Sequence, residues 1–224
     1  MPEPWRGRLL ALLETVPQVI PVFRSEGCKH QDLCREVIHE HVDQTCDVTA
    51  QYRLDDDDGL GATFIEKTRE LYGNMKPFFE QSEIMALDYT RGFIVQSTAK
   101  KVTVRTVSMR FWAPGMVIFQ RPDSNRALMD YNHLKIWHYM PTLTWQQEPM
   151  FIRGAHHEND SNLAGLGRRT RSFDFNHKNP NRYLRRTFGI SMNEIQKIWQ
   201  MRQSHFMGSP ESKSVHIRKL KLVT

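Results

Sequence analysis

Four consecutive aspartates, Asp55 to Asp58, stand directly before Gly59 and are the densest group of potential metal ligands in the chain. A calcium loop of the EF-hand type needs oxygen ligands at its first, third and fifth positions, glycine at the sixth and glutamate at the twelfth. With Gly59 at the sixth position, the first and twelfth positions are Leu54 and Ile65, which cannot bind calcium. The spacing therefore excludes an EF-hand.

The residues after the aspartates predict the start of a helix. Thr63 followed by Glu66 has the spacing of a capping box, in which each side chain satisfies a free backbone N–H of the first turn. Negative charge near this end of a helix is favourable because of the helix dipole. We therefore interpret the aspartates as an electrostatic contact surface, and we predict no bound metal and no cofactor.

Cys28, Cys34 and Cys46 lie within nineteen residues, together with three histidines. Structural zinc sites use close pairs such as Cys-x-x-Cys, and this segment has none. Three cysteines cannot all pair within one chain. Reduced thiols and a disulfide between chains therefore both remain open, with these three residues as the candidates for an inter-chain disulfide.

No other segment has the spacing of a known catalytic motif. The chain has no Gly-x-Ser-x-Gly and no P-loop, and its His-His-Glu-Asn-Asp stretch lacks the spacing of a zinc protease. We therefore predict that the protein is not an enzyme. The net charge of +6 favours a polyanion or an acidic protein surface as partner. No apolar stretch approaches the length of a membrane span, so we expect a soluble intracellular protein without a membrane partner.

The apolar spacing predicts a mainly α-helical fold with a small β segment around residues 93–119 and extended arms. The predicted helices cover 5–16, 30–52, 64–72, 77–89, 123–140 and 191–208. The predicted organisation is a helical core region with a β-prone centre over 1–152, an extended arm or loop over 153–181, a C-terminal helix pair over 182–208 and a tail arm over 209–224.

The segment from Asn181 to Trp199 resembles a helix-turn-helix, with a turn at Gly189 and a Ser191–Glu194 capping box. Arg185 departs from that motif, because a small residue should stand where the two helices touch. An ordinary corner between two helices is the other interpretation. If the motif binds DNA, the predicted contacts are Arg186, Asn193, Gln196 and Lys197.

Acidic and basic residues are segregated along the chain. The aspartates at 55–58 lie in the first third and the arginine-rich segments in the last third, which suits head-to-tail assembly of identical chains. Solvated surface is the alternative interpretation of each charged segment. The predicted assembly residues are Asp55, Asp56, Asp57, Asp58, Arg168, Arg169, Arg171, Arg185 and Arg186.

In length, helical pattern and clustered cysteines, the chain resembles the polyhedrin-type occlusion-body matrix proteins of the nudiviruses. That resemblance implies a viral structural protein that self-assembles into a crystalline lattice through ion pairs, disulfides and exchanged arms. It implies other copies of the chain and the enclosed virions as partners. It also implies localisation to the infected host cell, in the nucleus, and then to the occlusion body. DNA binding through the helix-turn-helix is the alternative function.

Overall fold

The fold is mixed α/β, so the expectation of a mainly α-helical protein is wrong. The computed structural model describes residues 5–24, 27–98, 100–155, 171–175 and 177–207. Its α-helices are α1 Trp5–Leu13, α2 His30–His41, α3 Phe64–Ser82, α4 Pro180–Phe188 and α5 Met192–Met207. Its strands are β1 Thr49–Tyr52, β2 Gly59–Leu60, β3 Ile84–Tyr89, β4 Arg91–Ser97, β5 Val102–Ser108, β6 Met116–Gln120, β7 Thr142–Trp145 and β8 Phe151–Ala155.

These strands form two four-stranded sheets. The order of the first sheet is β1-β6-β3-β7 and that of the second is β2-β8-β4-β5. Pairing is antiparallel in both sheets except for β3 with β7 and β4 with β8, which are parallel. Three chain segments pass from the first sheet to the second: β1 to β2, β3 to β4, and β7 to β8. Residues in these three connections therefore lie where the two sheets meet.

The helix predicted over 77–89 is wrong, because α3 continues through Gly73 and Pro77 to Ser82 and β3 follows it. Leu71, Met75 and Phe79 of α3 are buried against the first sheet, and that packing stabilises a helix that an internal proline would otherwise weaken. From its second residue onward, β3 is buried, with apolar side chains on both faces. A short continuous apolar run cannot be distinguished from a buried helix by its spacing.

Two further predicted helices are wrong in length or type. The segment 30–52 contains α2 as far as His41 and then strand β1. The segment 123–140 contains two short 3-10 helices, Leu128–Asp130 and His133–His138. Their apolar side chains, Leu128 and Ile136 among them, pack on the first sheet. Strands occupy much of 93–119, but they belong to a β structure that extends from residue 49 to residue 155.

Helices α4 and α5 form the predicted corner, which covers one face of the second sheet. Leu184 is 1% exposed and packs with Phe93 and Ile152. Gly189 turns the chain with φ of 68°, and Ser191 Oγ accepts a hydrogen bond from the Glu194 N–H at 3.4 Å, as the predicted cap requires. The corner therefore has a structural role in covering the sheet.

The predicted arm and tail fall largely on residues 156–170 and 208–224, which lie outside the described residues, as do Arg168 and Arg169. Within the described part of the chain, no helix is long and apolar enough to cross a membrane.

Candidate functional site

The four aspartates form a tight turn between β1 and β2. The Asp58 N–H donates to the Asp55 carbonyl at 3.1 Å, which closes a β-turn. Because β1 belongs to the first sheet and β2 to the second, this acidic turn, residues 55–58, connects the two sheets. The predicted cap at Thr63 is wrong: α3 begins at Phe64 without a side-chain cap from Thr63. The aspartates therefore belong to a turn that connects two strands, and they do not belong to the cap of a helix.

The acidic turn faces a cavity of about 980 Å³. Five residues of α2 also line it: His30, Leu33, Cys34, Val37 and Ile38. The remaining lining comes from other parts of the chain: Val22, Tyr52, Arg53, Leu54, Asp55, Asp56, Asp57, Trp112, Ala113, Leu128, Met129, His133 and Arg153. The lining is thus acidic at the turn and partly apolar at α2, an arrangement that suits a ligand with a charged end and an uncharged end.

Arg153 of β8 brings a positive charge to the same cavity. Its side chain is only 10% exposed, and the guanidinium lies 3.8 Å from the Asp58 carboxylate and 5.2 Å from the centre of the Trp112 ring. A buried guanidinium needs such partners, because burying an unpaired charge is costly. Asp58 and Trp112 therefore hold Arg153 in place at the cavity wall.

Asp58 differs from the other three aspartates in its burial. Its side chain is 1% exposed, and burial raises the pKa of its carboxyl to about 6, against the lowering effect of Arg153. The neighbouring carboxylates Asp57 and Asp55 raise the pKa further. The Asp58 carboxylate is thus buried beside Arg153, whereas Asp55, Asp56 and Asp57 line the cavity.

Two further groups on the cavity wall have defined electrostatic environments. Arg53 Nε donates to Asp55 Oδ1 at 2.9 Å, so that carboxylate already has a cationic partner. Burial lowers the pKa of His133, and the nearby Arg53 lowers it further. The His133 imidazole is therefore neutral at neutral pH and can accept a proton.

Helix α2 is fixed as a wall by contacts with the 3-10 helix Leu128–Asp130. Arg35 Nε donates to both Asp130 carboxylate oxygens, at 2.9 and 3.0 Å, and Gln31 donates to the Met129 carbonyl at 2.9 Å. The Arg35 guanidinium beside Asp130 lowers the pKa of that carboxyl to about 2. These bonds hold α2 against a 3-10 helix whose Leu128 and Met129 also line the cavity.

Close packing of β8 on the acidic turn requires a glycine at position 154. A Cβ on Gly154 would overlap the Asp57 carbonyl oxygen and would lie 2.9 Å from the Asp57 Cβ. The absence of a side chain there lets the turn lie directly across β8. The position of the aspartates in the cavity therefore depends on this contact.

We expect Gly154→Ala to destabilise the protein by about 1–3 kcal/mol, because the added methyl group forces the turn away from β8. Gly73→Ala is the matched control, since a Cβ at that helical position meets nothing within 4 Å. It should leave stability unchanged or raise it by up to about 1 kcal/mol. Urea unfolding of the three proteins measures both effects, and equal midpoints for the two variants would contradict this account.

Of the other predicted site residues that the structure describes, only Cys34 lines the cavity. Its thiol lies 3.6 Å from His30 Nε2, Cys46 Sγ donates to the Asp43 carbonyl at 2.9 Å, and all three cysteines are free. The backbone of Arg171 forms an isolated antiparallel β-bridge with Ser108, the last residue of β5. The remaining predicted assembly and DNA-contact residues lie on the corner of α4 and α5: Arg185, Arg186, Asn193, Gln196 and Lys197.

Arg153, Trp112 and His133 are functional candidates that the sequence analysis missed. Arg153 lies at the boundary of the predicted extended arm, and His133 lies within the predicted helix over 123–140. The run of aspartates is a local signal for the acidic turn, but the strand before it falls within the predicted helix over 30–52, so the sequence did not place these carboxylates at the end of a sheet.

No group of three or more potential metal-ligating side chains converges within the described ranges. The protein alone therefore does not form a closed metal site in this part of the chain. Carboxylates on one side of an open cavity instead suit an ion that takes its other ligands from a substrate and from water.

Comparison with known proteins identifies the family. The sequence model of a family described as "Putative rhamnosyl transferase" matches residues 1–168, and no curated protein or solved structure gives a significant match. This match contradicts the occlusion-body resemblance, the predicted lattice function with its DNA-binding alternative, and the prediction of a non-enzyme. The partners and the localisation that followed from the resemblance lose that support and stay predictions. The match covers 168 of 224 residues and every residue that lines the cavity, so the chain belongs to this rhamnosyl transferase family.

Proposed function

We propose that this protein is a glycosyltransferase that moves a rhamnosyl group from a nucleoside diphosphate to a hydroxyl group of an acceptor. In this reaction the acceptor oxygen bonds to the anomeric carbon while the bond from that carbon to the diphosphate breaks. The observation that carries the proposal is the acidic turn, whose residues Asp55 to Asp57 face a cavity within the family match. The rhamnosyl specificity is taken from the family's description.

The size and lining of the cavity support a nucleotide sugar as the donor. Small-molecule sites occupy about 300–1,000 Å³, and this cavity of about 980 Å³ is at the upper end of that range. A nucleoside diphosphate sugar is correspondingly large. Its base suits the partly apolar lining that Leu33, Val37 and Ile38 of α2 provide, and Arg153 suits its diphosphate.

A diphosphate and several aspartates repel each other unless a cation lies between them. Carboxylate oxygens are preferred ligands of Mg²⁺ and Mn²⁺, and Mg²⁺ is often held by one or two carboxylates together with substrate phosphates. Asp56 and Asp57, at the tip of the acidic turn, fit that role. A divalent cation held there supplies positive charge that offsets the charge of the diphosphate.

Arg153 and His133 provide two further functions that transfer requires. Negative charge increases on the diphosphate as it leaves, and a fixed guanidinium in a cavity wall stabilises that charge. Arg153 is fixed in this way by Asp58 and Trp112. The acceptor hydroxyl must lose a proton, and the neutral imidazole of His133 can accept it.

The test is transfer or hydrolysis of rhamnose linked to dTDP, UDP or GDP in the presence of Mn²⁺, with release of the nucleoside diphosphate measured. We expect turnover with at least one donor. We expect Arg153→Lys to lower that turnover about 10- to 100-fold, because the lysine ammonium cannot reproduce the contacts of the planar guanidinium with Asp58 and the Trp112 ring. Arg121→Lys is the matched control. Arg121 also lies over an aromatic ring, Phe79, and beside a carboxylate, Glu83, but it does not line the cavity.

Two results would count against the proposal. One is a wild-type protein that neither turns over nor binds any of the three donors with Mn²⁺. The other is an equal loss of turnover in the two arginine variants, because that would show sensitivity to any such arginine rather than to the cavity.

A further inference from the structure

An exposed aromatic patch lies next to the cavity and has no role in the donor site. Trp137 is 50% exposed, and its ring packs on that of Phe111 with centroids 4.7 Å apart and planes 31° apart. His138 is also exposed, and its ring centre lies 5.0 Å from that of Trp137. A tryptophan ring that lies half in water, with a polar ring beside it, offers a ligand both an apolar face and a hydrogen-bonding group.

The backbone that carries this patch is held in an uncommon conformation. Phe111 has φ of 57°, in the left-handed region that a phenylalanine rarely adopts. The Asp88 carboxylate, buried in β3, accepts a hydrogen bond from the Phe111 N–H at 2.9 Å and fixes that conformation. Strain of this kind persists where the surrounding structure enforces it, and it often accompanies a functional site.

The same segment connects the patch to the cavity. Trp112, the next residue, lines the cavity and contacts Arg153. The 3-10 helix His133–His138 makes a second connection, because His133 lines the cavity and Trp137 follows four residues later. The segment is kinked at Lys135, where φ is −127°, but only three residues separate His133 from Trp137 along the chain. A ligand in the cavity and a ligand on the patch would therefore be close neighbours.

We propose that the patch of Trp137, Phe111 and His138 binds a pyranose ring of the acceptor by stacking. A pyranose has one face covered by C–H groups, which packs on an aromatic ring, and hydroxyl groups around its edge, which suit an imidazole as a hydrogen-bonding partner. The proposal rests on the proposed function, and it names a saccharide as the acceptor class. Trp137 then has the role of positioning the acceptor hydroxyl toward the cavity.

The experiment is saturation-transfer NMR of the full chain with methyl α-rhamnopyranoside and methyl β-glucopyranoside. We expect binding of at least one glycoside by the wild type, about fivefold or more weaker binding by Trp137→Ala, and partial recovery by Trp137→Phe. Phe78→Ala is the matched control, because Phe78 is an exposed aromatic residue of α3, 61% accessible, that does not line the cavity. It should bind as the wild type does.

A second measurement separates this proposal from the proposed function. Binding of UDP, dTDP and GDP with Mn²⁺ should be the same in Trp137→Ala as in the wild type. If the wild type binds a nucleotide but neither glycoside, the acceptor platform is wrong and the donor site stands. If Trp137→Ala instead abolishes self-association in light scattering while no glycoside binds, the patch is a contact between copies of the chain and the proposal is wrong.

Discussion

Replacing both Asp56 and Asp57 by asparagine should lower sugar transfer by at least about 100-fold, because the tip of the acidic turn then lacks the charge to hold a divalent cation. Asparagine keeps nearly the same shape, so the turn closed between Asp55 and Asp58 should persist. Removing two like charges from a crowded turn should leave the free energy of unfolding unchanged or slightly higher. A loss of activity with full stability would therefore assign a chemical role to these carboxylates.

Calorimetry with Mn²⁺ and a nucleoside diphosphate provides the direct measurement for this double variant. We expect the wild type to bind the two ligands together much more tightly than Mn²⁺ alone, since the described part of the chain holds no closed set of three protein ligands. The double variant should lose the dependence of nucleotide binding on Mn²⁺. An unchanged dependence would show that the acidic turn does not hold the ion.

Asp123→Asn is the control for this experiment. Asp123 is exposed and does not line the cavity, so its replacement changes the charge of the protein without changing the site. Its Mn²⁺-dependent binding should equal that of the wild type. A reduction shared by Asp123→Asn would mean that overall charge, rather than the turn, governs nucleotide binding.

The sequence allowed some local features of this fold to be predicted. The Ser191–Glu194 cap and the turn at Gly189 depend on residues close together in the chain, and both are present. The excluded EF-hand also followed from local spacing. Features of this kind are readable because the hydrogen bonds that define them join neighbours in the sequence.

Longer-range features were not readable in the same way. Strand β3 has apolar residues on both faces because helix α3 covers one face and the 3-10 segments cover the other, and neither partner is visible in the local pattern. The site depends on pairing between distant strands, which brings Arg153 of β8 beside Asp58 after β1. Strand β1 alternates in burial over only four residues, which is the shortest run that can be recognised as a strand.

Asp88 should make the protein less stable as the pH rises from about 4 to above 7. Its side chain is fully buried in β3, and burial raises its pKa to about 7, although the Phe111 N–H, Arg110 and Thr144 lower it. Between pH 4 and pH 7 the unfolded chain releases this proton while the folded chain keeps it, so each step upward in pH favours unfolding. The difference between a pKa of about 7 in the folded protein and the ordinary value of 3.8 corresponds to stability on the order of 4 kcal/mol that is lost over this range.

Asp88→Asn should remove this loss, because an amide has nearly the same shape, cannot ionise and still accepts the Phe111 hydrogen bond through its oxygen. Urea unfolding at pH 4, 5, 6, 7 and 8 measures the difference between variant and wild type, which should grow toward alkaline pH. Wild-type and variant profiles that stay parallel would show that Asp88 does not titrate in this range.

Asp130→Asn provides a control of opposite sign. Arg35 beside Asp130 lowers the pKa of that carboxyl to about 2, so its contribution to stability is present at neutral pH and is lost as the pH falls toward 2. This variant should therefore be less stable than the wild type at pH 7, where Asp88→Asn should be more stable.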